Sequence, residues 1–80
     1  MIDEATKKPL QVKTDKLAGS SVEVSLGMRD KVLKLFQEHD IPHWAAHQAI
    51  SVDGSPMMVM IYLRWEANPQ AAQEILDRTP

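Results

Sequence analysis

The strongest hydrophobic feature of the chain is an apolar run from Met57 to Trp65. Its nine residues are too few for a membrane helix, which needs about 20 apolar residues, and their β-branched and aromatic content favours a strand. With a period of two residues, one face of this strand carries Val59, Ile61 and Leu63. The other face carries Met58, Met60, Tyr62 and Arg64. Because both faces are largely apolar, we expect this strand to lie inside a sheet whose second face is also partly covered.

Two shorter segments with alternating polarity precede this run. Residues 10–14 and 22–26 alternate apolar and polar side chains, which predicts two strands that each have one solvated face. Pro9 and Lys13 are typical of an edge strand. The polar segment 15–20 predicts a loop, so we expect the two strands to form a hairpin.

Two further segments show the helical period. From Met28 to His39, apolar residues recur every three or four positions, and Pro42 stops the pattern. The second segment begins at Asn68, a favoured N-cap residue, with Pro69 at the first helical position. Its apolar stripe consists of Ala72, Ile75 and Leu76. The pattern therefore predicts two amphipathic helices.

Residues 43–52 are compatible with two structures. Their three alanines favour a helix, whereas Asp53-Gly54, shortly before the apolar run, is a strong signal for a two-residue hairpin turn. We favour a strand, because a hairpin at this position requires one. Pairing across the turn sets Trp44 opposite Leu63, on the aliphatic face, and we expect both Trp44 and Trp65 in the core or at its rim.

The predicted order is strand, strand, helix, strand, strand, helix (ββαββα). Such an order predicts an α+β two-layer sandwich, with a four-stranded antiparallel sheet, both helices on one face and residues 57–65 in a central strand. Moving the first strand to the end would give the ferredoxin-like order, so the chain resembles a permuted ferredoxin-like sandwich in topology. Residues 1–8 lack periodicity and predict a flexible N-terminal tail, followed by a single domain over residues 9–80.

Composition narrows the class of protein. The chain has 80 residues, no cysteine and a net charge of −2. A domain of this size has a thin core, for which oligomerisation is a common remedy. The lack of cysteine and of a secretion signal leads us to expect a cytoplasmic protein without membrane association. The net negative charge makes a nucleic-acid partner unlikely, because nucleic-acid-binding domains are usually basic.

The sequence offers little support for catalysis or metal binding. It contains no phosphate-binding or nucleophile motif, and a domain this small has little depth for paired carboxylates, so we expect no enzyme activity and no cofactor. The spacing of His39, His43 and His47 would suit a metal on a continuous helix, but Pro42 interrupts it. On a strand, His43 and His47 lie about 13 Å apart, too far to share a zinc ion. A metal site would require residues 42–50 to be helical or a second chain to complete it.

The second face of the central strand is the best candidate for a binding surface. An exposed group of methionines and a tyrosine is unusual in a monomer and is typical of a contact surface. In the predicted hairpin register, the histidines of residues 43–52 join this face. The candidate partner-binding residues are therefore Met58, Met60, Tyr62, Arg64, His43 and His47.

These patterns predict a small non-enzymatic protein-interaction domain, which forms homodimers or docks on a larger protein through this face of the sheet. Two alternatives remain. One is a small-ligand-binding regulatory domain, with its pocket at a subunit interface. The other is a weak nucleic-acid-binding module, in which Tyr62 would stack on a base. The face could also be covered by the chain's own tail or a loop.

Overall fold

The computed structural model of this protein describes residues 1–17, 19–46 and 57–79. Within these ranges the strands are β1 (Val12–Asp15), β2 (Gly19–Ser25), β3 (His43–Ala45) and β4 (Met58–Leu63). The helices are α1 (Arg29–Glu38), which follows a 3₁₀ turn over Leu26–Met28, and α2 (Pro69–Arg78). The second half of the predicted strand over residues 43–52, and the predicted Asp53-Gly54 turn, lie outside the described residues.

The four strands form one antiparallel sheet in the order β1-β2-β4-β3. The predictions of an α+β fold, of a four-stranded antiparallel sheet and of a central position for β4 are therefore confirmed. The long apolar run lies between two neighbouring strands because it can bury side chains on one face and pair its backbone on both edges. Neither helix in the described ranges has the length and apolar character required to cross a membrane.

One face of the sheet, here called the inner face, supplies the hydrophobic core. It carries the buried residues Val22, Val24, Val59, Ile61 and Leu63. The same core cluster contains helical residues, namely Val32 and Phe36 of α1 and Ala72 and Leu76 of α2. These positions are the ones at which the two-residue and 3.6-residue periods predict burial. The hydrophobic pattern therefore identifies both the strand face and the helix stripes that meet in the core.

The start of α2 follows the predicted capping chemistry. The side-chain oxygen of Asn68 accepts hydrogen bonds from the backbone N–H groups of Gln70 (2.9 Å) and Ala71 (3.3 Å). Pro69 occupies the first helical position, where no N–H donor is needed. The prediction of this helix boundary is therefore confirmed.

The register between β3 and β4 differs from the predicted one by a single residue. Trp44 pairs with Tyr62, and His43 pairs with Leu63, whereas the two-residue turn predicts that Trp44 pairs with Leu63. Because side chains alternate along a strand, a shift of one residue moves every side chain to the opposite face. The predicted faces of Trp44 and His43 are therefore both wrong. His43 lies on the inner face and Trp44 lies on the opposite face of the sheet.

Residues 1–8, for which the sequence predicts a flexible tail, are held against the domain in this structure. Met1 is buried and its ammonium group donates a hydrogen bond to the carbonyl of Leu76 in α2. Ile2 forms a β-bridge with Pro9. These contacts join the start of the chain to its last helix, and no local periodicity in residues 1–8 reveals them.

Asp3 anchors this segment with a buried carboxylate that is 1% exposed. It accepts hydrogen bonds from the backbone N–H groups of Ser25 (2.7 Å), Ala5 (2.8 Å) and Thr6 (3.2 Å). Burial alone would raise the pKa of Asp3, but these bonds and one from the Ser25 side chain outweigh it, so the pKa lies below its usual value of 3.8. Asp3 is therefore held as a carboxylate that ties the N-terminal segment to the end of β2.

A side chain from α2 bonds to the edge of the β1 segment that does not pair with β2. The amide of Gln73 accepts a hydrogen bond from the N–H of Val12 (2.7 Å) and donates one to the carbonyl of Leu10 (3.2 Å). A backbone neighbour would make the same two bonds. Gln73 therefore occupies the position of a missing strand on this side of the sheet.

Candidate interaction surface on the outer face

The face of the sheet opposite the core, here called the outer face, is composed differently. The strand registers assign to it Lys13 on β1, Ser21 and Glu23 on β2, Met58, Met60 and Tyr62 on β4, and Trp44 on β3. Four of these residues form one row across all four strands, in the order Lys13, Ser21, Tyr62, Trp44. The outer face thus has a polar side on β1 and β2 and an apolar side on β4 and β3.

A stacked pair of aromatic rings lies on the apolar side. The ring centroids of Trp44 and Tyr62 are 4.5 Å apart and their planes make an angle of 21°. The two residues are directly opposed on neighbouring strands, which brings their side chains into contact. Trp44 is nevertheless 51% exposed. The pair is thus an ordered aromatic surface that faces away from the core.

The methionines extend this surface along β4. Met58 and Met60 are both half-buried, as is Tyr62. Beyond Met58 the outer face ends, because its neighbour Ser25 is buried and hydrogen-bonded to Asp3. Asp3 of the N-terminal segment therefore contacts the sheet at the Ser25 end, and among the described residues the Trp44–Tyr62 pair lies towards the other end.

His43 does not belong to the candidate surface. Its ring makes an edge contact with Phe36 at a centroid distance of 5.6 Å, and its Nδ1 lies 2.6 Å from the carbonyl oxygen of Ile41. His43 therefore packs at the rim of the core, beside α1. Arg64, which the sequence pattern places within the strand, is exposed and follows the last residue of β4, and His47 lies outside the described residues.

Trp44 lies on the face opposite to the one that the sequence pattern predicts for it. Residues 43–46 include a tryptophan and two alanines with no alternation of polarity, so only the register can decide their faces. The compact two-residue turn that the sequence favours gives the register that is wrong by one. The sequence therefore indicates the face of Trp44 only when it is already known that Trp44 pairs with Tyr62.

Two large apolar residues are almost fully exposed at one end of the sheet. Leu17 lies in the turn between β1 and β2 and is 99% exposed, and Trp65 lies two residues after β4 and is 95% exposed. The interpretation of Trp65 as a core or rim residue is therefore wrong. The strand registers place the β1–β2 turn and the segment that follows β4 at the end of the sheet nearest the Trp44–Tyr62 pair. Flanking charges at Arg64 and Glu66 are the sequence signal for the exposure of Trp65.

A cleft of about 420 Å³ adjoins the polar side of the outer face. Its lining includes Lys8, Lys13 and Glu23. Both signs of charge are present, so this cleft does not select a cation or an anion by charge alone. Across the described ranges, no group of three or more histidine or acidic side chains is arranged to hold a metal ion.

Comparison with protein-family models, with curated proteins and with solved structures found no match to this chain.

Proposed function

We propose that this chain is a non-enzymatic protein-interaction domain, which associates with a protein partner through the outer face. The observation that carries the proposal is the stacked Trp44–Tyr62 pair, which lies on the face opposite the core and leaves Trp44 half exposed. Tryptophan and tyrosine are the residues most enriched at the energetic centres of protein interfaces. Met58 and Met60 add adaptable apolar area beside them.

The proposed architecture is a permuted ferredoxin-like sandwich with both helices on the inner face. In its support, one core cluster joins the inner-face strand residues with residues of both α1 and α2. Helices on that side would leave the outer face available for a partner. The proposed setting is the cytoplasm, in agreement with the lack of cysteine.

A contact with protein is favoured over one with nucleic acid by the orientation of the aromatic rings. In RNA-binding sheets, separate aromatic rings each receive a base. Here Trp44 and Tyr62 stack on each other, so each ring already covers one face of the other. The outer face also carries Glu23 together with Lys13, so it lacks the uniform positive charge that attracts a phosphate backbone.

The proposal is tested with a double variant of the outer face, Met60→Asp with Tyr62→Ala. Both side chains lie outside the core cluster, so the fold should persist, as shown by an unchanged circular dichroism spectrum. An unpaired carboxylate inside an interface should weaken association by about a hundredfold or more. Light scattering of the pure protein would measure self-association. Cross-linking in an extract of the cells that naturally contain the protein would measure association with other proteins.

The matched control is Gln37→Asp, which adds the same charge to an exposed position of α1. It should leave every complex intact. Complexes that survive the outer-face variant as well as they survive the control would refute the proposed function.

A further inference from the structure

The outer face has a pattern of side-chain size that changes from strand to strand. In its central row, Ser21 on β2 is small, and its neighbour Tyr62 on β4 is large. Continuation of the same register sets Gly19, which has no side chain, beside Arg64. The β2 side of the aromatic end is therefore a shallow depression beside a ridge on β4.

We infer that the occupant of the outer face is a second copy of this chain. This inference rests on the function proposed above. The two copies pack face to face around a two-fold axis that runs parallel to the strands, between β2 and β4. This axis sets β2 of one copy over β4 of the other, and β1 over β3. The depression of each copy then receives the ridge of its partner.

The contacts in the central row are complementary under this symmetry. Ser21 lies over the partner's Tyr62, so a small residue faces a large one across sheets that pack about 10 Å apart. Lys13 lies over the partner's Trp44, where an ammonium group can meet an aromatic ring. Each contact occurs twice, because the axis relates the two copies.

A two-fold axis along β4 itself is disfavoured by charge and by area. It would place Arg64 against the same residue of the partner, a repulsion between like charges. It would also leave β1 uncovered. The four strands have four, seven, three and six residues, and at about 3.4 Å per residue and about 4.8 Å between strands they present only about 330 Å² per copy, against about 800 Å² in a standard interface. No strand can be left out of so small a surface.

The exposed turn residues supply apolar area that the strands alone lack. The axis between β2 and β4 keeps each residue at its height along the sheet, so the β1–β2 turn of one copy meets the β4 end of the other. Leu17 and the partner's Trp65 are therefore brought to the same place. Their exposures of 99% and 95% in the single chain are explained if each covers the other across the interface.

The experiment is a size exchange at the central contact, with variants S21Y and Y62S. In S21Y, two large residues would collide at both symmetric contacts, and in Y62S two small ones would leave gaps. Each variant alone should be monomeric in sedimentation equilibrium at concentrations where the wild-type protein is dimeric. An equimolar mixture should form a heterodimer, because both of its contacts again pair a large residue with a small one.

The control K34Y places the same new side chain on an exposed position of α1 and should dimerise like the wild-type protein. Circular dichroism of each variant checks that it is folded. A wild-type chain that stays monomeric at the highest concentrations reached would overturn the second-copy inference and leave a foreign protein as the partner. Failure of the mixture to associate, when each variant alone is monomeric, would overturn the proposed axis. A wild-type dimer that Y62S does not weaken would refute the outer face as an interface altogether.

Discussion

The two faces of β4 use different kinds of side chain for different purposes. On the inner face, Val59, Ile61 and Leu63 are 2%, 0% and 6% exposed. On the outer face, Met58, Met60 and Tyr62 are half-buried. Branched aliphatic residues have few rotamers and pack in one defined way, whereas methionine adapts to irregular neighbours. β4 therefore stabilises the domain through its inner face and presents half-buried, adaptable side chains on its outer face.

The sharpest test of this comparison is a pair of neighbouring truncations, Ile61→Ala and Met60→Ala. Ile61 is fully buried, so its truncation should lower the free energy of unfolding by about 2–5 kcal/mol, through lost burial and a cavity. Met60 is half-buried, and its truncation should cost clearly less. Urea denaturation at low protein concentration measures both. Equal losses of unfolding free energy at the two positions would contradict the conclusion that the inner face stabilises the domain more than the outer face does.

The contact of Asp3 with the Ser25 end of the sheet is tested by Asp3→Ala. This change removes the acceptor of the buried Ser25 N–H and of two further N–H groups, which should cost about 1–3 kcal/mol. Thermal or urea unfolding provides the measurement. A change at the exposed Glu4 to alanine is the control and should have little effect.

Asp3 also gives a dependence of stability on pH. Because its pKa is lowered in the folded chain, the carboxylate stabilises the fold above its usual pKa of 3.8, and this contribution is lost as pH falls through the lowered value. Asp3→Asn cannot titrate, so its stability should fall less than that of the wild-type protein as the pH is lowered below the usual pKa of 3.8. Parallel slopes for the two proteins would show that Asp3 is not the responsible group.

The smallest expected effect separates the two exposed tryptophans. Trp44→Ala removes the stack on Tyr62 and should cost about 0.5–1.5 kcal/mol of monomer stability. Trp65→Ala should change it by less than about 0.5 kcal/mol, because that side chain is 95% exposed. Denaturation measured below the concentration of any association distinguishes them. A large loss for Trp65→Ala would mean that this residue has a role within the single chain.

Periodicity predicts the parts of this fold that depend on local pattern. The order of elements, the central position of β4 and the Asn68 cap all follow from residues close together in sequence. The face of Trp44 does not, because it depends on how the strand over residues 43–45 aligns with β4. A difference of one residue in that alignment is invisible to composition and decisive for the surface.

The N-terminal segment shows the same limit over a longer distance. Asp3 is an ordinary polar residue in the sequence, and its partner Ser25 lies 22 residues away. Nothing within residues 1–8 indicates that the end of β2 offers an N–H group for this carboxylate. The sequence pattern thus predicts that Met58, Met60 and Tyr62 share one face, whereas the presence of Trp44 on that face depends on the tertiary structure.

The Gln73 contact with β1 has a consequence for the behaviour of the protein at high concentration. Exposed sheet edges are templates on which further chains can add as strands, and this is how fibrils grow. Since the side-chain amide already engages the N–H of Val12 and the carbonyl of Leu10, a strand arriving at this edge would first have to displace α2. One glutamine thereby hinders the addition of a strand at the start of this edge, where it bonds these two backbone groups.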